Sequence, residues 1–294
     1  MARVKMCLLA LVLIASATAA FAQTLPTSQP NFLMIYREEV KVGHVADHAK
    51  VEAGWPAAYD KAKDPYNYIA LVSLTGKNEA WFVTPFDSQA AIGDSMKRED
   101  SPALATSLER LGRADADEVS SVQGILARAR KDLSHGPYPD TAKQRFYSIS
   151  IFRVKAGHEG DFEAAAKAFG SATDRAGVEH NYDVYQVVAG MPNPTYLIFA
   201  STTDYSGFDQ YMADGDAVMK AATSDERNAL MKVSADGLIN TENVRFRLDP
   251  VMSYVPQSVR LEDPAFWMPK TALAEPKPKP KPTSKQEPKL EAKR

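Results

Sequence analysis

Cysteine is nearly absent. The one cysteine, Cys7, lies inside a segment with the features of a cleavable leader, so the mature chain would carry no thiol. That excludes a disulfide framework, a thiolate metal site and a cysteine nucleophile, and leaves stability to packing. Long apolar runs are also missing: the stretch from Cys7 through Ala15 is too short to span a bilayer. Nucleotide and hydrolase signatures are missing as well. There is no P-loop, no Gly-rich dinucleotide turn, no serine elbow and no zinc-protease helix.

The two ends differ from the middle. Arg3 and Lys5, the apolar run after them, and Ala20-Phe21-Ala22 predict a signal peptide over 1–22 with cleavage before Gln23, hence a periplasmic or secreted protein. Residues 275–294 alternate Lys and Pro and then continue with Lys, Glu, Gln and Ser, a composition that predicts a disordered tail. The tail carries seven basic and three acidic residues, whereas 23–274 carries 26 basic and 34 acidic. An acidic body argues against nucleic acid as a partner, and a basic tail suits weak electrostatic contact with an anionic envelope surface.

The body repeats itself. Residues 32–76 and 146–190 align without a gap at an offset of 114, with 13 of 45 positions identical. Unrelated segments of this composition share roughly 3, so the chain contains a duplication. Each copy opens with an apolar strand (from Phe32 or Phe146), turns at Lys41-Val42-Gly43-His44 or Lys155-Ala156-Gly157-His158, and continues into a helix predicted over 44–62 or 158–176. A strand from Tyr68 or Tyr182, a turn at Gly76 or Gly190, a third strand and a helical region follow. Val244–Leu248 reads as a fourth strand, and the matching Arg-x-Arg-x-Asp pattern places its counterpart over 127–132. The order β-α-β-β-α-β, twice, predicts an α+β fold of two tandem ferredoxin-like units. Each unit leaves one sheet face uncovered, so the two are expected to close into an intramolecular eight-stranded barrel. The expected divisions are 23–140 and 141–258 for the repeats and 259–274 for a C-terminal extension.

The opening Phe152-Arg153-Val154-Lys155-Ala156-Gly157-His158-Glu159-Gly160-Asp161-Phe162 resembles the dimeric α+β barrel superfamily, which includes antibiotic-biosynthesis-monooxygenase-like and NIPSNAP-like proteins. The resemblance covers roughly 30–258. It implies the barrel fold and leaves activity open, because the superfamily holds cofactor-free oxygenases, haem-degrading enzymes, peroxidases, isomerases and proteins of no known activity.

Comparing each residue with its counterpart in the other copy ranks the candidates. His48 stands where copy two has Phe162, so it replaces a core aromatic and must be satisfied by something. It is the candidate acid/base residue, with a core histidine bonded to a neighbour as the structural alternative. Arg37 and Glu38 replace Ile151 and Phe152, which points to copy one as the half with a site. Trp55, Asn67, Tyr68 and Trp81 complete a set that, with Arg37, would bind a small, partly aromatic molecule in the barrel; barrel-filling aromatics are the alternative. His44 and His48 have metal-ligand spacing, but no third ligand is identifiable, so no metal or cofactor is assigned. Two functions remain open: a ligand-binding or envelope accessory protein, and a cofactor-independent monooxygenase-like enzyme acting on a phenolic substrate with His48 as base. If His48 is idle, His48→Phe should stabilise the fold. Oligomeric state is not set by these observations.

Overall fold

The computed structural model describes residues 24–269; the leader and the Lys-Pro tail lie outside them. The first half runs β1 (Phe32–Val40), α1 (Val45–Glu52), α2 (Gly54–Ala62), β2 (Tyr68–Ser73), β3 (Glu79–Phe86), α3 (Gln89–Glu99), α4 (Ala105–Asp115) and β4 (Val119–Ala129). The second runs β5 (Phe146–Val154), α5 (Glu159–Ala176), β6 (Asp183–Ala189), β7 (Thr195–Thr202), α6 (Gly207–Ala221), α7 (Ser224–Lys232), a π-helical turn and β8 (Leu238–Tyr254), followed by α8 (Gln257–Glu262) and α9 (Pro264–Trp267).

The eight strands close into one antiparallel barrel in the order β1-β3-β2-β8-β5-β7-β6-β4. Within each half the order is that of a ferredoxin-like sheet, β4-β1-β3-β2 and β8-β5-β7-β6. The halves join at two seams. At one, Ala70 to Ser73 pair with Asp249 to Phe246; at the other, Leu126 to Ala129 pair with Ala189 to Tyr185. Each half therefore hides the other's free sheet edge as well as its apolar face, and closure removes edges altogether.

Strand alternation sends Leu33 and Ile35 inward, where they meet Leu71, Trp81, Ile125, Ile149, Tyr185, Leu197 and Phe246. The interior is packed: Trp81 and Phe246 are fully buried with ring centroids 5.3 Å apart. Toward one end the Arg37–Glu79 ion pair lies beside Trp81, the Arg37 guanidinium 5.2 Å from the indole centroid. The other end is closed by Leu25, Val255, Val259 and Trp267, with a cavity of only about 50 Å³ beneath Tyr138 and Asp183. Among the described residues the lumen is filled by these side chains, whereas a larger, mainly apolar cavity lies in the layer between sheet and helices.

Two local expectations change. The helix expected over 44–62 is two helices broken at Ala53, because Pro56 has no N–H to give to the carbonyl of Glu52 and its ring crowds that turn. The corresponding α5, with Gly170 at that position, is continuous. The fourth strand of copy one lies over 119–129 rather than 127–132. Arg130 has already left the sheet to bridge Asp132 and Glu163, and the polar Ser120, Ser121 and Gln123 disguise the strand before it. Gly43 and Gly157 adopt φ of +89° and +90°, the left-handed turn that hands strand to helix in both copies.

Candidate functional site

The helices of each half lie on the outer sheet face, and the duplicated geometry creates the same chamber twice. The halves fill it differently. Positions occupied by Phe152, Phe162, Ala166 and Tyr182 in the second half are Glu38, His48, Glu52 and Tyr68 in the first. Register near the fourth strands adds Ser234 against Asp115.

In the second half, α5 and α7 stand off β5 and β7 over a cavity of about 320 Å³. Its walls are almost wholly apolar: Phe152, Phe162, Phe169, Ile198 and Leu230 with the rings of Tyr182 and Tyr211. Phe162 also stacks on Tyr196 at 4.2 Å, which holds the α5 wall against the sheet. The small Ala165 and Ala166 create the space; their first-half counterparts are Val51 and Glu52. Such a chamber suits a flat ligand of two or three fused rings.

One basic group reaches this chamber. His180 is buried, and its Nδ1 has no hydrogen-bond partner. Its ring stacks on Tyr211 at 3.8 Å and meets Phe169 edge-on at 5.6 Å. The loop is held from behind, where His135 donates through Nδ1 to the carbonyl of His180, 3.1 Å, and lies 3.0 Å from Asp174 through Nε2. Burial lowers the pKa of His180, and the neighbouring His135 adds to this, while Asp214 opposes it. The imidazole is thus neutral at neutral pH, with a lone pair free to accept a proton. The tyrosines around it stay protonated: burial raises both Tyr182 and Tyr211 well above the ordinary phenol value.

In the first half the chamber is filled. Tyr36, Trp55 and Phe82 take the places of Ser150, Phe169 and Ile198, and between them sit Glu38, His48, Glu52 and Asp115, all buried. His48 Nε2 lies 3.0 Å from Glu38 Oε2 and 3.5 Å from Asp115 Oδ1. Burial, reinforced by Glu38 and Asp115, pushes Glu52 up to about 9, with the Trp55 indole acting the other way. Burial and Glu38 push Asp115 up to about 6 against the pull of His48.

The predicted site residues are dispersed. His48, Trp55 and Tyr68 share the first-half helix–sheet layer. Arg37 and Trp81 are on the barrel side: Arg37 grips the Glu79 carboxylate through two bonds of 3.0 and 2.6 Å, and the Trp81 indole donates to the same carboxylate at 2.9 Å. Asn67 lies apart, donating to the carbonyl of Pro65 beside the N-terminal segment. His180 escaped the sequence reading because its counterpart, Tyr66, sits in a loop outside the strand and helix stripes being compared. The signal was present: it is an aromatic-to-histidine exchange like Phe162 to His48, in the opposite half.

No family model and no curated protein matches the chain. Solved structures do. An anthrone oxidase-like protein superposes with a TM-score of 0.51 at 10% identity, covering 76% of this chain and 93% of that one. A proposed monooxygenase from Fusobacterium nucleatum subsp. nucleatum gives 0.47 at 9% identity over 74% and 92%, and one from Lactobacillus acidophilus gives 0.47 at 9% over 74% and 94%. The chain has the dimeric α+β barrel fold, built within one polypeptide.

Proposed function

We propose that the second-half chamber binds a flat, electron-rich aromatic molecule and that the protein acts on it as a cofactor-independent monooxygenase-like enzyme. The observation that carries this reading is a roughly ligand-sized apolar cavity served by one buried, neutral, unpartnered imidazole, His180. That imidazole would remove a proton from a phenol or an activated ring methylene, and the resulting phenolate or carbanion is the electron-rich species that dioxygen oxidises. For a methylene, the anion and O₂ combine and take up a proton to give the hydroperoxide. Loss of the second C–H proton breaks the O–O bond, leaving a ketone and one water. The fold neighbour named for anthrone oxidation is consistent with this substrate class.

The test is oxygen uptake with anthrones and polycyclic phenols as probes. Wild type should consume oxygen in proportion to product, and His180→Gln should lower kcat at least about 100-fold with little change in probe binding. Probe binding without oxygen uptake would favour the second reading, an envelope ligand-binding protein. That reading draws on the leader-like 1–22 and on the basic tail. Export predicts a mature N-terminus at Gln23, which mass spectrometry of the native protein reads directly.

A further inference from the structure

We propose that Glu38, His48, Glu52 and Asp115 form a buried site for one divalent transition-metal ion, separate from the aromatic chamber. One ligand atom from each residue lies within 4.8 Å of every other, and this group of four is entirely buried. A first-row ion with bonds near 2.0–2.2 Å sets ligand atoms roughly 3.0–3.4 Å apart at cis or tetrahedral positions and roughly 4.2 Å apart at opposite ones; the 3.0 and 3.5 Å separations from His48 Nε2 already match this range, and a pair as wide as 4.8 Å would have to close by about 0.6–1.4 Å.

The unpaired atoms point to the same occupant. Glu52 Oε1, Asp115 Oδ1 and the Tyr68 hydroxyl are all buried without a hydrogen-bond partner. Glu52 is 3% exposed and Tyr68 8%, and the Tyr68 hydroxyl feels the charges of Glu52 and Glu38. Among the described residues, none of the three acids is paired with a lysine or arginine; their only basic contact is the single imidazole. A proton satisfies one such oxygen. A doubly charged ion at the centre neutralises two carboxylates at once and gives both orphaned carboxylate oxygens a partner.

The elements are well placed to hold an ion. His48 and Glu52 are one turn apart on α1, Glu38 comes from β1 behind them, and Asp115 ends α4. A cavity of about 70 Å³ reaches His48 from the side of Val45 and Ser73, providing an approach. One nitrogen and three carboxylate donors suit Mn²⁺, Fe²⁺ or Zn²⁺. The second half is an internal control, since Phe152, Phe162, Ala166 and Ser234 offer no ligand set.

The experiment uses the full mature chain, stripped with chelator and titrated with Zn²⁺ and, separately, Mn²⁺ by calorimetry and thermal melting. One ion per chain should bind and raise Tm by several degrees at 100-fold excess over Kd. Glu52→Gln and Glu38→Gln should each weaken binding at least about tenfold, whereas His44→Ala, which removes the neighbouring surface pair with Glu118, should change it less than about twofold. An anomalous-scattering peak between the four side chains would place the ion. Absence of saturable binding to the wild type overturns the proposal. So does binding that survives both glutamine variants or disappears in His44→Ala. Because the cluster lies in the first half and shares no residue with the His180 chamber, these results are read separately from oxygen uptake.

Discussion

Replacing His48 with the phenylalanine of its counterpart tests how the first-half chamber is held together. The sequence comparison alone expects His48→Phe to be stabilising if the residue is idle. The structure reverses that expectation. The imidazole lies 3.0 Å from Glu38 and 3.5 Å from Asp115, both buried. Removing it leaves two carboxyl groups, with Glu52 beside them, in a low-dielectric space without a cation. Breaking a buried pair from one side costs about 3–5 kcal/mol, which for a domain of this size lowers Tm on the order of 10 °C. The loss should be smaller at pH 5 than at pH 8, because Asp115, already raised to about 6, takes up a proton as pH falls and its uncompensated charge disappears, while Glu52, raised to about 9, is mostly protonated at both pH values. The matching rescue is the four-residue transplant Glu38→Phe, His48→Phe, Glu52→Ala, Asp115→Ser, which copies the second half and removes all four ionisable groups of the cluster. It should recover most of the loss despite carrying three more changes, a coupling well outside additivity. Urea unfolding of the chelator-treated wild type, single variant and transplant at both pH values measures this. A His48→Phe protein as stable as wild type at pH 8 would refute the reasoning.

Asp183 sits at the small cavity in the barrel end, and burial alone pushes it from its ordinary 3.8 up to about 7. The folded state holds this proton more tightly than the unfolded one, so stability falls as pH rises from about 4 through 7. The ceiling is about 4 kcal/mol and partial exposure reduces it to about 1–3. Asp183→Asn should therefore melt higher than wild type at pH 8 and alike near pH 4; parallel Tm curves would count against this. Arg37→Ala strands Glu79, 4% exposed, beside Trp81 and should cost about 3 kcal/mol in chemical unfolding, while Arg37→Ile with Glu79→Thr, copying Ile151 and Thr195, should cost much less. Activity through His180 needs the neutral ring, so with its pKa lowered by burial the acid limb of the kcat/KM profile should lie below pH 6.5; a limb above that value would remove His180 from the role of base. Deleting residues 275–294 should reduce adsorption to isolated envelopes at low salt and make no difference at high salt, where screening already abolishes the contact.

The duplication carried the architecture. Once Phe32–Gly76 and Phe146–Gly190 align, strand order, turn glycines and the need for each half to cover the other follow from hydrophobic periodicity, because exposed sheet faces and edges have nowhere else to go. Pairwise comparison also singled out His48, Arg37 and Glu38 as departures from a shared core pattern. What such a comparison cannot supply is company. Glu52 and Asp115 are ordinary helix acids in the sequence, and only the crossing of α1, α4 and β1 gathers them around His48. Arg37 and Glu38 are neighbours in sequence, yet strand alternation sends one into the barrel and the other under the helices. Whether two alanines opposite a sheet leave a void or are filled by neighbours is a sum over all surrounding volumes. That sum left a chamber beneath α5, where His180 waits on a loop, and closed the equivalent space beneath α1.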